Sequence, residues 1–552
     1  MPTAPLRSTT PAIDICVKLA QYPIICHRVR LRMREEMFKR GIISKTKFEQ
    51  EVKNLALLSQ QREGLSNPYQ QEDENTWQRR LDITRDYHTD AIFANNLGST
   101  VLDQLVDEIM KNQQTDANKV DLTFNPEIAP WALLFQQGEF FDRLPPPEKE
   151  KVKHHLEEIK VVLIKRLMSD QLGFIAIAKN VFQIRDLRWI YERLIGRGKI
   201  GGKASGMMLA LKILEMNVPH LGPELKKFVG IPETYFIGSE LIYEFIYQNK
   251  LERFVNQKYL SSEERETAYP SIVEAFNTGE MPEFLVEQLR DVLIRLQGRP
   301  FIVRSSSLLE DHLDYSFAGK YASVFCPNQG TPEQNLAKLL NAIRHIYAST
   351  FNPKAMEERE LYDLIDYDER MAIMIQPLTG EQHGRYFFPA IVGIGLSENP
   401  FYKETKTRKE DGCLRLVWGF ANRVAGQQFL QQSCVIALSH PNLPAKETES
   451  NLVQANQTLI KVVNLDTNEF ETIPITKILE DDYSNSHLVS TDSTISFSQL
   501  SKDPKFVRLL RYTLNRLQAI YEKPVELEFT LDIQTKGANT NYKLYILQCH
   551  TT

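Results

Sequence analysis

The sequence predicts a mainly helical N-terminal region followed by a mixed body of the α/β or α+β class. Up to residue 190, apolar residues recur at three- and four-residue spacing, as in ICHRVRLRMREEMFKRGII, which is typical of amphipathic helices. From Leu194 onward glycines cluster, and short apolar runs such as RPFIVRS and YKLYILQC alternate with helical segments. This change of pattern places a domain boundary at 190/191.

Length and composition exclude several classes of protein. A chain of 552 residues is too long for a single hydrophobic core, so we expect roughly three to four domain-sized units. The net charge of −5 does not indicate a nucleic-acid binder or a membrane-surface protein. No apolar run approaches the ~18 residues that cross a bilayer. The six cysteines are scattered without a C-x-x-C pair, so we expect reduced thiols in a soluble, cytoplasmic protein.

Two regions carry little functional signal. The segment PPPEKEKVKHHLEEIK, at residues 145–160, has the prolines and glutamates of a helix start. Its His154 and His155 are expected on a solvated helix face rather than as ligands. Residues 428–500 are rich in Asn, Ser and Thr and contain a predicted hairpin at KVVNLDTNEFETIPI, which we interpret as an elaboration rather than a site.

Lys203 lies in a glycine-rich turn, GRGKIGGKASG, that is not a phosphate-binding P-loop. That motif, G-x-x-x-x-G-K-[ST], would need a glycine in place of Arg197 and a hydroxyl residue in place of Ala204. The turn nevertheless leads into the helical pattern SGMMLALKIL, where backbone amides and a lysine can meet an anion together. The alternative is an ordinary turn with a solvated lysine.

The segment FIVRSSSLLEDHLDYSFAGKY, at residues 301–321, places polar residues directly after a predicted buried strand. An arginine fork and serine hydroxyls suit polyphosphate oxygens, and a glycine lets the backbone approach a ligand closely. The residues concerned are Arg304, Ser305, Ser306, Ser307, the acidic pair Glu310 and Asp311, and Ser316 to Gly319.

The C-terminal segment VELEFTLDI predicts two carboxylates on one face of a strand. Glu526 and Glu528 are two residues apart, so both side chains emerge on the same side. The strand YKLYILQCH can return antiparallel and bring Gln548 and His550 close to them. Two carboxylates backed by an amide suit magnesium and phosphate, because Mg²⁺ prefers oxygen ligands. The alternative is an ordinary half-exposed strand.

Taken in order, several segments from residue 190 to 550 resemble one family. They are GGKASG, IPETYFI, IVRSSSLLEDHLDYSFAGKYASVF, YASTFNPKAMEER, MAIMIQPL and VELEF…LYILQC. They resemble the PEP/pyruvate-binding, nucleotide-binding domain of the phosphoenolpyruvate synthase and pyruvate phosphate dikinase family. The resemblance implies an α+β fold of the two-lobed ATP-grasp type that holds ATP, with a first part at 191–395 and a second part at 396–552.

The resemblance also implies roles for individual residues. Lys203 and Arg304 match the phosphate-contacting lysine and arginine of the family, and with His550 they form the expected catalytic set. Gln376 falls in the interlobe segment along adenine. Glu526 and Glu528 match the D-x-E pair that holds metal and nucleotide. The expected cofactors are ATP and Mg²⁺, and the expected cofactor contacts are Lys203, Arg304, Gly319, Arg359, Gln376, Glu526, Glu528 and Gln548.

Four positions depart from the family pattern. The terminal arginine of L-Q-x-R-P is His550, the first acid of D-x-E is Glu526, R-A-x-x-Y-R begins with Lys354 and ends with Arg359, and G-L-G-E reads Gly419 to Asn422. Lysine lacks the bidentate fork of arginine, and histidine is often neutral near pH 7. We therefore expect weaker stabilisation of a transferring phosphoryl group.

The family's complete enzymes also have a swivelling domain with a phosphoryl-carrying histidine and a barrel that binds pyruvate. None of the eleven histidines here lies in a G-G-x-x-S-H-like setting. The sequence therefore predicts an ATP-dependent phosphotransferase that passes a phosphoryl or pyrophosphoryl group to a histidine on a separate protein. The alternatives are a nucleotide-binding regulatory or scaffold protein and an interaction module that binds no nucleotide.

Overall fold

The computed structural model describes most of the chain and divides it into two compact units, Met1–Val162 and Leu163–Thr552. The expected boundary at 190/191, and the further division at 395/396, stay predictions. Asp311, Ser316 and Asn422 lie outside the described residues. Those residues are 11–22, 25–63, 72–114, 124–310, 317, 319–400, 402, 408–420, 433–439, 457–480, 497–536 and 539–552.

The regular structure described in the first unit is helical, as the sequence predicts. Val29, Met33 and Met37 recur at four-residue spacing on one helix and are buried in the hydrophobic core of this unit. Ser44 and Asp73 each accept a backbone hydrogen bond at a helix N-terminus and so fix where two helices begin. The helices are α1 Pro11–Ala20, α2 Cys26–Lys39, α3 Lys45–Arg62, α4 Glu74–Asn96, α5 Gly98–Gln114, α6 Trp131–Arg143, α7 Pro146–Lys151 and α8 Lys153–Leu167, which extends into the second unit.

The second unit combines helices with strands. Its further helices are α9 Leu172–Val181, α10 Ile184–Tyr191, α11 Gly202–Glu215, α12 Leu241–Gln248, α13 Ser262–Thr278, α14 Glu283–Leu296, α15 Pro332–Ser349, α16 Pro353–Leu361, α17 Ile475–Glu480, α18 Ser498–Lys502 and α19 Pro504–Tyr521. Short 3₁₀ segments cover Pro219–Leu221, Glu252–Tyr259 and Lys409–Asp411. No helix among the described residues has the length and apolar character needed to cross a membrane.

The strands are β1 Leu194–Ile195, β2 Val229–Gly230, β3 Tyr235–Ile237, β4 Phe301–Ser307, β5 Ser323–Cys326, β6 Met371–Pro377, β7 Glu381–His383, β8 Tyr386–Phe388, β9 Ile391–Leu396, β10 Cys413–Val417, β11 Cys434–Ala437, β12 Leu459–Asn464, β13 Glu469–Pro474, β14 Val525–Lys536 and β15 Asn539–Thr551. They form sheets in the described chain with the orders β1-β3-β6-β4-β5, β11-β10-β9-β14-β15-β2 and β13-β12-β8-β7. This mixture confirms the predicted α+β class.

The first sheet surrounds β4, the strand predicted from RPFIV. β4 pairs antiparallel with both β5 and β6, and every residue of β6 is buried. The apolar side of this sheet packs with α12 to α16 in one core. The sequence placed Arg304 and the three serines after a buried strand, but they belong to β4 itself, because the pairing with β6 continues to Ser307. Neighbouring strands on both sides of β4 fix their positions.

The second sheet carries the C-terminal strands. β14 and β15 pair antiparallel, with Glu526 opposite His550 and Glu528 opposite Gln548, which confirms the predicted return of the chain. The register shifts directly after Glu528, so the bulge changes the direction of the strand at this residue. α11 and α19 pack against this sheet.

The third sheet contains the predicted hairpin, now β12 and β13. Its turn reaches the first sheet's edge, where Asn468 Oδ1 accepts a hydrogen bond of 2.9 Å from the backbone amide of Gln329. Phe470 of the hairpin lies 4.8 Å, centroid to centroid, from Phe325 of β5. The hairpin therefore connects the third sheet with β5 and the residues after it, which lie much earlier in the sequence.

Candidate functional site

A cleft between the first and second sheets contains about 940 Å³ of empty space, including the part that is open to solvent. Small molecules commonly bind in concave sites of this kind, where a few polar groups converge between apolar walls. Both sheets contribute polar side chains, and apolar residues form the remaining walls. The sequence-predicted residues that line it are Lys203, Arg304, Gly319, Gln376, Glu528 and Gln548.

Lys203 is buried, with 4% of its surface exposed, and is not the solvated lysine of an ordinary turn. Its Nζ lies 2.7 Å from Glu310 Oε1 and donates a hydrogen bond of 3.1 Å to Ser305 Oγ. Glu310 is fully buried and also accepts a hydrogen bond of 2.8 Å from the backbone amide of Ser307. The carboxylate therefore compensates the lysine charge and holds it at the cleft wall.

The glycines before Lys203 are required by close packing against the end of β4 and the turn that follows it. A Cβ on Gly201 would lie 1.5 Å from the carbonyl oxygen of Ser306, and one on Gly202 would lie 1.5 Å from that of Glu310. Gly201 also has a φ of 81°, which favours glycine. Ser306 Oγ accepts a hydrogen bond of 3.1 Å from the amide of Ala204. The turn thus brings the N-terminus of α11 against the strand.

Arg304 connects the two sheets across the cleft. Its guanidinium donates to Glu528 Oε2 at 2.9 Å, to Gln548 Oε1 at 3.0 Å and to the carbonyl oxygen of Leu547 at 2.9 Å. Only 8% of its surface is exposed. The pair of Arg304 and Glu528 is therefore shielded from water. Charge-assisted hydrogen bonds are stronger in such a low-dielectric environment than in solvent.

Gln376, at the end of β6, has an acceptor that the described chain does not use. Its Nε2 donates to Thr234 Oγ1 at 3.0 Å and contacts Met207 Sδ at 3.3 Å. Its Oε1 is buried and has no hydrogen-bond partner among the described residues. A buried acceptor without a partner is costly, so a ligand donor such as an exocyclic amine would be favoured there.

Glu526 and His550 are on the same strands as Glu528 and Gln548, but they do not line the cleft. Both are buried, so β14 is not the half-exposed strand of the alternative interpretation. Arg415 of β10 is close enough for its charge to interact with Glu526; burial lowers the pKa of this arginine, and the glutamate opposes that effect. The sequence analysis did not identify Arg415, because its only signal was a single charged residue inside the apolar strand CLRLV.

Arg359 is not brought to the cleft with the other residues. It is buried and donates to the carbonyl oxygens of Leu364, Ile365 and Tyr367, at 3.4, 3.2 and 2.8 Å. Lys354 is exposed near the start of α16 and does not line the cleft either. In the segment that corresponds to the family's R-A-x-x-Y-R, Arg359 therefore stabilises the loop that follows α16 instead of lining the cleft.

The family model for the AMP/ATP-binding domain of pyruvate phosphate dikinase matches residues 197–552. The chain belongs to this family. The match confirms the resemblance. It identifies residues 197–552 as an ATP-binding domain of an ATP-dependent phosphotransferase family. No protein with a curated description matches the chain.

The dikinase-type domain has further cleft residues that the sequence analysis did not identify. Phe325 and Phe420 line the cleft together with Leu378 and Thr379, which follow β6. Thr379 and Thr530 share a hydrogen bond of 2.6 Å between their hydroxyl groups. These residues offered no signal, because single apolar or hydroxyl residues that line a ligand site look like core or loop residues in a sequence.

A magnesium site in the dikinase-type domain would need ligand phosphates to complete it. Among the described residues, no group of three or more His, Cys, Asp or Glu side chains converges on one point. Mg²⁺ commonly binds through one or two carboxylates together with phosphate oxygens. Glu528 lines the cleft and fits that pattern, although it also pairs with Arg304. Glu526, on the same strand, does not line the cleft and would have to turn toward it to join the site.

Proposed function

We propose that the cleft binds ATP with Mg²⁺ and that the chain transfers a phosphoryl or pyrophosphoryl group to a histidine on a separate protein. The observation that carries this proposal is the convergence of two cations from different segments. Lys203 and Arg304 are about 100 residues apart in sequence and line one cleft with Glu528 and Gln548.

The cations would bind the phosphates. Lys203 lies at the N-terminus of α11, where backbone amides also favour an anion. Arg304 offers a planar guanidinium, which suits two phosphate oxygens at once. Phosphate oxygens would partly replace the carboxylate that now pairs with each cation. That carboxylate is Glu310 for Lys203 and Glu528 for Arg304. The left-handed Gly319, with a φ of 78°, would let backbone amides approach the same group.

The remaining residues would orient the nucleotide. Gln376 Oε1 would accept a hydrogen bond from the base, and Phe325 and Phe420 would exclude water from that part of the cleft. Glu526 and Glu528 would hold Mg²⁺, which neutralises phosphate charge when it is bound. His550, opposite Glu526, would add a cation when protonated. Phosphoryl transfer depends mainly on such positioning and charge neutralisation.

Two observations favour a second candidate, a nucleotide-binding regulatory protein with little turnover. Both cleft cations are already paired with carboxylates of the chain, at 2.7 Å for Lys203 and 2.9 Å for Arg304. Lys354, the counterpart of a family arginine, is exposed outside the cleft. Such a cleft would bind ATP and respond to it without supplying all the positive charge that transfer requires.

Two measurements test the proposal in order. Thermal unfolding with magnesium and ATP should show stabilisation of about 2.7 kcal/mol when the ligand is at about 100 times its dissociation constant. ATP labelled at the β or the γ phosphorus is then incubated with the chain and with candidate phosphohistidine-domain proteins. Acid-labile label on the partner, lost when its histidine is replaced, supports transfer.

The two candidates differ in their outcomes. Stabilisation by ATP without label transfer or ATP hydrolysis, with every candidate partner, supports the regulatory protein. The absence of any stabilisation at millimolar magnesium-ATP contradicts both and leaves the interaction module. The position of the label separates phosphoryl transfer from pyrophosphoryl transfer, because a pyrophosphoryl group retains the β phosphorus.

A further inference from the structure

A second cavity lies among α12, the 3₁₀ segment Glu252–Tyr259, the end of α15 and α16. It contains about 550 Å³ of empty space, including the part open to solvent, and shares no lining residue with the cleft. Its lining includes Ile242, Ile246, Val255 and Met356, which make most of its wall apolar. Such an apolar wall suits the hydrocarbon part of a small organic molecule.

Two buried side-chain oxygens in this lining have no hydrogen-bond partner among the described residues. They are Oε2 of Glu369 and Oγ1 of Thr350, and the two residues are only 8% and 5% exposed. A buried polar atom without a partner costs free energy that a protein normally avoids. Their occurrence together in one cavity therefore indicates a ligand with a hydrogen-bond donor.

The other oxygen of Glu369 is fixed. Ser307 Oγ donates a hydrogen bond to Glu369 Oε1 from the end of β4. The charge of Arg359 and the phenol of Tyr321 also act on this carboxyl and favour its ionised form, whereas the charge of Glu310 opposes it. By distance and angle, neither the phenol nor Oε2 has a hydrogen-bond partner among the described residues. The carboxyl group is thus held in one orientation by a strand of the first sheet, with Oε2 left over.

The remaining charged residues of the lining are already committed to other groups. Arg359 donates to three backbone carbonyl oxygens, among them that of Tyr367 at 2.8 Å. Asp368 accepts hydrogen bonds from Arg370 and Tyr243. Lys258 pairs with Asp366 at 3.4 Å. Arg359 also fixes the loop that forms one wall, so the cavity is preformed and a ligand would not need to order it.

We propose that this cavity binds a small apolar molecule that carries a primary amino group. The ammonium donates to Glu369 Oε2 and Thr350 Oγ1, and the apolar body lies against Ile242, Ile246 and Val255. The assignment follows from the donor that the two oxygens lack and from the apolar wall around them. It does not depend on nucleotide binding in the cleft.

The electrostatics agree with an amine. Burial raises the pKa of the Glu369 carboxyl to about 7, although the nearby charge of Arg359 opposes this effect. An ammonium beside Oε2 would favour the ionised form further. A carboxylate ligand would be repelled by the same group. An alcohol of the same shape would retain the hydrogen bond and lose the charge, so its binding should be weaker.

The test uses three probes with the same branched five-carbon skeleton on the full chain: 3-methylbutylamine, 3-methylbutan-1-ol and 3-methylbutanoate. Binding is measured by titration calorimetry at about pH 8, above the pKa of Glu369 of about 7. We expect saturable binding of the amine, at least about tenfold weaker binding of the alcohol and no binding of the carboxylate.

Variants locate the site. Glu369→Gln should weaken amine binding at least about tenfold, and Thr350→Val should weaken it less. Val255→Trp, at a residue that lines the cavity and is 41% exposed, should block binding by filling the space and does not depend on the buried carboxyl. Glu398→Gln, which removes a carboxylate of similar type that pairs with Lys409, is the matched control and should bind normally.

The results that overturn the proposal are specific. They are an amine that shows no saturable binding at millimolar concentration, or one that binds folded Val255→Trp and Glu369→Gln as tightly as the unmodified chain. Circular dichroism of each variant verifies folding. Because the titrations contain no nucleotide, failure here leaves the proposed function untouched.

Discussion

The cleft and the cavity around Glu369 treat their buried polar groups differently. In the cleft both cations are paired with carboxylates of the chain. In the cavity Glu369 Oε2 and Thr350 Oγ1 have no partner among the described residues. A ligand in the cleft must therefore compete with bonds that the protein already makes, whereas a ligand in the cavity supplies bonds that the protein lacks.

This difference has consequences for affinity and specificity. The pairs in the cleft keep its cations in place without a ligand, but they reduce what a phosphate can gain. The cavity gains from any correctly placed donor and discriminates by charge. Substitutions that disturb one site without the other can establish whether the difference is real.

The largest effect is expected at the glycine turn that positions Lys203. In Gly202→Ala the new Cβ would lie 1.5 Å from the carbonyl oxygen of Glu310, so the turn must move and take the lysine with it. We expect a loss of about 3 kcal/mol of unfolding free energy together with loss of nucleotide binding.

The matched control for this turn is Gly319→Ala. Apart from its chain neighbours, no described residue has an atom within 4 Å of the added Cβ there, and the φ of 78° is unfavourable. Its cost should be about 1 to 2 kcal/mol. Denaturant unfolding of both variants measures the difference, and equal losses would show that close packing is not what requires Gly202.

The next effect concerns the pH dependence contributed by Glu369. Its pKa rises from 4.5 to about 7 on folding, so the folded state binds more protons and stability falls as pH rises between these values. Above about pH 7 the loss is complete and amounts to about 3 kcal/mol.

Glu369→Gln should remove this slope, because a glutamine does not titrate. Unfolding free energies of the chain and the variant, measured from about pH 4.5 to about pH 8, give the contribution of this one group by difference. Glu398→Gln again serves as the control. Parallel curves for the chain and Glu369→Gln would mean that this carboxyl is not strained by burial.

A smaller effect, on nucleotide binding, distinguishes Arg304 from Lys354. Arg304→Ala removes a charge-assisted contact in the cleft and should cost roughly 1.5 to 3 kcal/mol of binding free energy. Lys354→Ala removes an exposed cation that does not line the cleft and should change little. Calorimetric titration with magnesium-ATP compares them, and similar losses in both would remove Arg304 from the phosphate site.

The smallest effect is expected at His550, which is buried opposite Glu526 and does not line the cleft. Imidazole loses its charge as pH rises, whereas arginine keeps it. His550→Arg should therefore improve magnesium-ATP binding by less than about tenfold, and more at about pH 8.5 than at about pH 6. Turnover measured in parallel addresses the choice between transferase and regulatory protein. No gain at either pH would mean that this side chain does not reach the phosphates.

The sequence by itself determined the local elements of the dikinase-type domain. The alternation in VELEFTLDI and YKLYILQCH placed Glu526 and Glu528 opposite His550 and Gln548, because the side chains of a strand repeat every two residues. The hairpin of β12 and β13 and the buried strand β4 followed from similar patterns. The family also followed, because its motifs lie in such short segments.

Only the tertiary structure decided which partner each charged residue has. Arg304 pairs with Glu528, 224 positions away, and Arg359 turns to its own loop instead of the cleft. Glu369 was not singled out, because a carboxyl beside a strand looks solvated until packing encloses it. Partners and burial depend on how distant segments pack together, and the spacing of residues along one strand or helix carries no information about that packing.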